Sequence, residues 1–131
     1  MIHKYDFINK VLGARWVNRK ANFSECDCYG LVILYYKEVL GIEVPCFGYH
    51  ELEEFMLCYN ISKEKWCKID EPQDGCLFVA FTASNPTHAG IVIDNKALHS
   101  REGAGVRIDS LDAILRLYNK VEYYKYDNTN N

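Results

Sequence analysis

Three residues carry types and spacing suited to covalent chemistry: Cys28, His88 and His99. Cys28 stands in "SECDCYGLVILYYKEVLG", directly before a long apolar run that reads as a buried helix. A helix start carries partial positive charge and unpaired N–H groups. A cysteine there is expected to have a lowered pKa, and the same N–H groups can hold the oxyanion that forms when a thiolate attacks a carbonyl. The competing reading is a small apolar residue that only packs. Attack needs a base. His88 opens an apolar strand in "PTHAGIVID", and His99 closes the next in "KALHS", with "DNK" or part of it as the turn. An even loop puts the two rings on one side of the sheet and an odd loop on opposite sides. Two-residue loops are the commonest, so one side is expected. One histidine can then take the thiol proton while the other orients its ring. Taken singly, each would more often be a strand-end histidine at a wet edge.

The elements that must position these residues follow from periodicity. Tyr5 to Leu12 reads as a short helix stopped by Gly13, and residues 15 to 24 as a loop. A central helix is expected from Cys28 to Leu40. Asp27 would be its N-cap and Gly41 its left-handed end, and its apolar residues nearly encircle it. Glu51 to Tyr59 has helical spacing, and "DEPQDG" is a turn. Strands are expected at "CLFVAF" from Cys76, "HAGIVI" from His88 and "ALHS" from Ala97. "SLDAILRL" reads as a helix capped by Ser110, and "KVEYYKY" as a last strand. Helices followed by an antiparallel sheet make an α+β domain. One domain is expected over residues 1–126, with 127–131 ("DNTNN") a disordered tail.

Composition narrows the class. A chain of 131 residues builds its own core. The net charge of −3 gives no general affinity for nucleic acid, and no stretch is long and apolar enough to insert in a membrane. The start, "MIHKYDFINKVLGARW", has no secretory pattern, so synthesis in the cytoplasm and reduced thiols are expected for the six cysteines. There is no C-x-x-C and the histidines are scattered, so no metal is expected. No G-x-S-x-G, P-loop or dinucleotide fingerprint is present, and no cofactor is expected. The glycines of "REGAGV" open no helix and make no phosphate cradle. His3, His50 and the other five cysteines are assigned no chemistry, although Cys26 flanks the site.

Together, "DCYGLV", "HAGIVID" and the histidine of "LHS" resemble the NlpC-type cysteine peptidases, papain-like enzymes that cut the peptide stems of bacterial murein. The resemblance runs from about residue 13 to residue 100, and "PQDGCLFVAF" fits the family's turn and strand before the base. It implies a papain-like fold with Cys28 as nucleophile, His88 as base and His99 as orienting residue. It also implies that the Cys28 N–H and Trp16 hold the oxyanion, and that Asp27 binds a substrate amine as well as capping the helix. The implied substrate is a stem peptide of peptidoglycan, cut between a γ-D-glutamyl residue and a diamino acid. Three positions depart from the family pattern. Trp16 stands for a usual tyrosine, and an indole N–H donates but cannot accept. Tyr29 stands for a common serine, and Cys76 for a usual aspartate.

"GARW", "GIEVP" and "HSREGAGV" are similar to the small NlpC-type proteins of bacteriophage and gene-transfer-agent tails. That narrower resemblance implies tail-tip or hub proteins as partners. It places the chain at a virion tail tip, acting in the periplasm or cell wall. The rivals are a tail-structural plug or adaptor on the same fold, and a secreted amidase or acyl-transfer effector.

Overall fold

The computed structural model describes residues 1–44 and 65–127. The helix expected at residues 51 to 59, together with Cys46, His50 and Cys58, lies outside the described residues, as do tail residues 128–131. The chain begins with α1 (Lys4–Val11), which buries Phe7, Ile8 and Val11 as its spacing dictates. His3 caps it by accepting from the Tyr5 N–H at 3.2 Å. An irregular stretch then leads to α2 (Cys28–Tyr35).

Sequence fixes α2 at both ends. The Asp27 side chain accepts from the Gly30 N–H at 2.8 Å, which satisfies one orphan donor of the first turn. After Tyr35 the helix widens into a π-helical turn, Tyr36–Leu40, and stops at Gly41 with φ 68°. Its extent matches the expected span, while the last turn is looser than α-helical. Leu31, Val32, Leu34 and Tyr35 are all buried, each apolar side chain contributing about 1.5–3 kcal/mol. Gly30 is required by packing. A Cβ there would stand 2.0 Å from the Lys20 carbonyl oxygen, so only glycine lets the preceding loop close on the first turn.

The second half is one antiparallel sheet. Its strands are β1 (Trp66–Ile69), β2 (Leu77–Thr82), β3 (Asn85–Ile93), β4 (Lys96–Arg101), β5 (Gly105–Ser110) and β6 (Lys120–Tyr126). They lie in the order β1-β6-β2-β3-β4-β5. Helix α3 (Leu111–Leu117) falls between β5 and β6, capped by Ser110, whose Oγ accepts from the Ala113 N–H at 3.1 Å. α2 packs on β3 and β4, and its face of the sheet carries Leu77, Val79, Ile91 and Leu98. The opposite face carries Phe78, Val92 and Ala97 beneath Ile114 of α3. The result is a papain-like α+β domain.

Three expectations change. β3 begins at Asn85, three residues before His88, because the chain pairs with β2 from Thr82 onward. β5, in "GVRIDS", and β1, in "WCKI", were not expected as strands. Both are edge strands, and only a few of their residues are buried, so their apolar signal is weak.

Candidate active site

The hairpin settles the histidine geometry. Ile93 pairs with Lys96, leaving a two-residue turn of Asp94 and Asn95 at φ 52° and 64°. Two positive φ values mark the turn whose twist suits a tight hairpin. The loop is even, so His88 and His99 share a face, as expected. Beside His88, the β2–β3 register shifts between Ala80 and Phe81, which makes Thr87 an extra residue on β3. Bulges of this kind re-aim a neighbouring side chain. His88 and His99 are 5% and 0% exposed, so neither is a wet-edge histidine.

The rings form a chain. His88 Nε2 lies 2.8 Å from His99 Nδ1, and His99 Nε2 lies 2.7 Å from Asp109 Oδ2 on β5. Arg107 donates to both Asp109 oxygens, from Nε at 2.8 Å and from Nη2 at 3.0 Å. Tyr118, just past α3, stacks on His88 at 5.5 Å and 6° between planes. Phe78 braces both imidazoles at 6.1 and 6.2 Å. Gly90 makes that possible, since a Cβ there would stand 2.5 Å from the Phe78 ring.

Cys28 meets this chain at a cavity of about 240 Å³ lined by Trp16, Cys28, Thr87, His88, Arg101, Glu102 and Tyr118. The Ala89 backbone acts on the sulfur in favour of its charged form. Ser100 Oγ donates to the Cys26 carbonyl at 2.7 Å, which ties the strand bearing His99 to the turn bearing Cys28. Cys26 itself is buried in the core, and burial pushes its thiol up to about 12.

The electrostatics correct one expectation. Burial, with the charge of Asp27 added, pushes the Cys28 thiol up to about 12. The backbone N–H groups act downward, as the helix-start argument requires, but they are outweighed. Burial also pushes His88 down to about 3, helped by the neighbouring His99 and by the charge of Arg101. His99 is lowered by burial, partly offset by Asp109. Burial pushes the Asp109 carboxyl up, yet hydrogen bonds from Arg107 and His99 outweigh it and the net shift is downward. The resting site is therefore a neutral thiol beside a neutral imidazole, chained to an ionised carboxylate. Cys28 keeps partial exposure at the cavity, so a substrate can reach it.

Trp16 lies in the cavity wall. Asp27 is 7% exposed and caps α2, its other oxygen accepting from the Arg19 N–H at 2.8 Å. It is not among the residues lining the cavity. Three site residues escaped the sequence reading: Asp109, Tyr118 and Arg101. Asp109 was missed because β5 was missed. The alternation of Val106 and Ile108 in "GVRIDS" was its available signal. Arg101 follows from strand alternation, lying two residues beyond His99 on the same face. No spacing rule points to Tyr118.

Comparison with known proteins agrees with this geometry. Residues 14–122 match the NlpC/P60 family. A search of curated proteins gives no match. Among solved structures, the NlpC/p60 domain of peptidoglycan hydrolase SagA superposes with TM-score 0.64 at 18% identity, covering 92% of this chain and 94% of that one. A protein similar to a lipoprotein of the NLP/P60 family, from Staphylococcus aureus subsp. aureus Mu50, gives 0.62 at 17% identity. That alignment covers 96% of this chain but 40% of the staphylococcal one. At such identities the structures establish the shared fold, while the matched span, most of the sequence, establishes the lineage: the chain belongs to the NlpC/P60 family.

Proposed function

We propose that this protein is a cysteine peptidase that hydrolyses peptide stems of bacterial peptidoglycan, with Cys28, His88 and His99 as its catalytic group. The observation that carries the reading is the shared cavity, in which a thiol at a helix start opens beside a buried histidine chained to a second. Family membership and the SagA hydrolase fold support the substrate class. His88 Nε2 is committed to His99, so Nδ1 is the nitrogen left to serve as base. In the proposed step the Cys28 S–H proton passes to His88 Nδ1 as sulfur bonds to the carbonyl carbon. The oxyanion is held by the Cys28 N–H with Trp16. Collapse breaks the C–N bond, the leaving amine takes the proton from His88, and water then cleaves the thioester. Because the resting thiol is neutral, proton transfer and attack are coupled.

The bond we assign is the γ-D-glutamyl link to a diamino acid, and Arg101 supports this choice. It lines the cavity, and no carboxylate among the described residues forms an ion pair with it. A γ-linked glutamyl residue presents a free α-carboxylate beside the scissile amide, which a guanidinium binds well. The test uses two synthetic stem peptides, one with the α-carboxylate and one with the α-amide. The carboxylate form should be cut with a kcat/KM higher by about tenfold, the scale of one charge-assisted hydrogen bond. Arg101→Met should abolish the preference. Equal cleavage of both peptides by wild type would overturn the role of Arg101, and cleavage at another bond would overturn the bond assignment.

For delivery we propose a phage or gene-transfer-agent tail tip, with tail-tip or hub proteins as partners. Support comes from the likeness of "HSREGAGV", "GARW" and "GIEVP" to tail-encoded members. Purified particles from the source should contain the protein in a few copies. Its absence from them would favour the secreted-effector rival.

A further inference from the structure

The chain of hydrogen bonds does not end at the second histidine. Asp109 lies diagonally across the β4–β5 pair, since His99 pairs with Arg107 and Ala97 with Asp109. It is partly exposed at the rim, yet its Oδ2 lies 2.7 Å from a nitrogen of the fully buried His99. Arg107 fixes the carboxylate by binding both oxygens.

Proton bookkeeping gives this arrangement a direction. An ionised carboxylate can only accept, so His99 Nε2 must carry the hydrogen it shares with Asp109. A neutral imidazole has one N–H, which leaves His99 Nδ1 bare. That bare nitrogen is 2.8 Å from His88 Nε2, so His88 Nε2 must be the donor. His88 Nδ1 is then bare as well. Both rings are buried and held neutral, so a second proton does not blur the assignment.

We propose that Asp109, clamped by Arg107, is a positioning residue that sets the tautomers of His99 and His88 together and so keeps His88 Nδ1 free to act as base. Without the carboxylate, His99 loses the acceptor that fixes its Nε2–H. The opposite arrangement, with His99 donating from Nδ1 and His88 carrying its hydrogen on Nδ1, then becomes populated. In that arrangement the base is blocked. A carboxylate at this rim with a merely structural role would leave the tautomers unchanged.

The test is two-bond ¹H–¹⁵N correlation on full-length protein labelled with ¹⁵N-histidine, which reads each ring's tautomer without a substrate. Wild type should show Nε2–H for both His88 and His99. Asp109→Ala should move a large share of His88 to Nδ1–H, and Arg107→Met, which frees the carboxylate to swing outward, a smaller share. Should Asp109→Ala fail to fold, Arg107→Met decides alone. In parallel, kcat of Asp109→Ala should fall by roughly 10- to 100-fold, less than removal of the base itself, with KM within about twofold. The kinetic arm rests on the peptidase reading. If wild type cuts no stem peptide, that reading fails while the tautomer pattern still decides the role of Asp109. A wild-type His88 protonated at Nδ1, or an unchanged pattern in the variant, overturns the proposal.

Discussion

The β3–β4 hairpin carries a polar network at each end, and the two differ in what burial does to them. At the turn end, Lys4 Nζ pairs with Asp74 at 2.8 Å and Asp94 at 3.0 Å, and the Tyr5 hydroxyl donates to Asp94 at 2.6 Å. These groups lie at the surface, where Lys4 and Asp94 are held in their charged forms. Hydrogen bonds from Tyr5 and Lys4 hold Asp94 below its usual value, while those to Asp74 and Asp94 raise Lys4. At the other end, His88, His99, Asp109 and Arg107 run from the core to the rim. There burial strips charge from the imidazoles and leaves it only at the exposed terminus. One set of distances thus gives a surface clasp, and a similar set gives a directed chain of hydrogen bonds. Hydrogen-bond geometry is comparable in both, and desolvation decides which is suited to chemistry.

Breaking the buried end should cost most. Cys28→Ala should abolish hydrolysis of stem peptides. His88→Ala should lower kcat by about 10²–10⁴-fold, the worth of a general base. His99→Ala should reduce kcat less, because it orients a proton acceptor and does not replace it. Steady-state kinetics of the three variants check this order. His99→Ala proving worse than His88→Ala would break the assignment of roles.

The neutral resting pair makes a pH prediction. Alkylation of Cys28 by iodoacetamide should climb steadily from pH 6 to 9, since its thiol is pushed up to about 12. A plateau beginning near pH 5 would instead show a standing thiolate–imidazolium pair. Stability should respond as well. Unfolded histidine binds its proton near 6.5, whereas folded His88 does so only at about 3. Below pH 6.5 the unfolded chain therefore holds more protons, and stability is lost as pH falls towards about 3, then levels. Denaturant midpoints across this range should show the decline in wild type and a weaker one in His88→Phe.

The exposed end should matter least. Lys4→Met should lower the melting temperature slightly at low salt and not at all at high salt, with kcat unchanged. A large loss of activity would show that the two ends of the hairpin are coupled.

How much of this was legible in the sequence varies by residue. The start of α2 at Cys28, its cap Asp27 and its end at Gly41 were readable because capping chemistry is local. The His88 and His99 pairing was readable because loop parity alone decides which face a strand residue takes. The Cys28 pKa was misjudged because the helix-start effect is a local rule, while the opposing burial comes from residues distant in sequence, around His88 and Tyr118. Asp109 was invisible for a related reason. Its role depends on a register between two strands, one of which carries too little buried apolar surface to announce itself. Gly30 and Gly90 sat in quoted motifs, but the atoms that forbid a side chain at each, Lys20 O and the Phe78 ring, emerge only from packing.

The central claim is that Cys28 cuts peptidoglycan stems, and mass spectrometry of purified murein incubated with the protein tests it most directly. Wild type, kept reduced, should release peptide fragments whose new amine ends mark one bond. Cys28→Ala, checked by circular dichroism to be folded, should release none. Murein left intact by a folded, reduced wild type would contradict the account and leave the structural-plug reading in its place. Equal release by wild type and Cys28→Ala would contradict the assignment of the nucleophile.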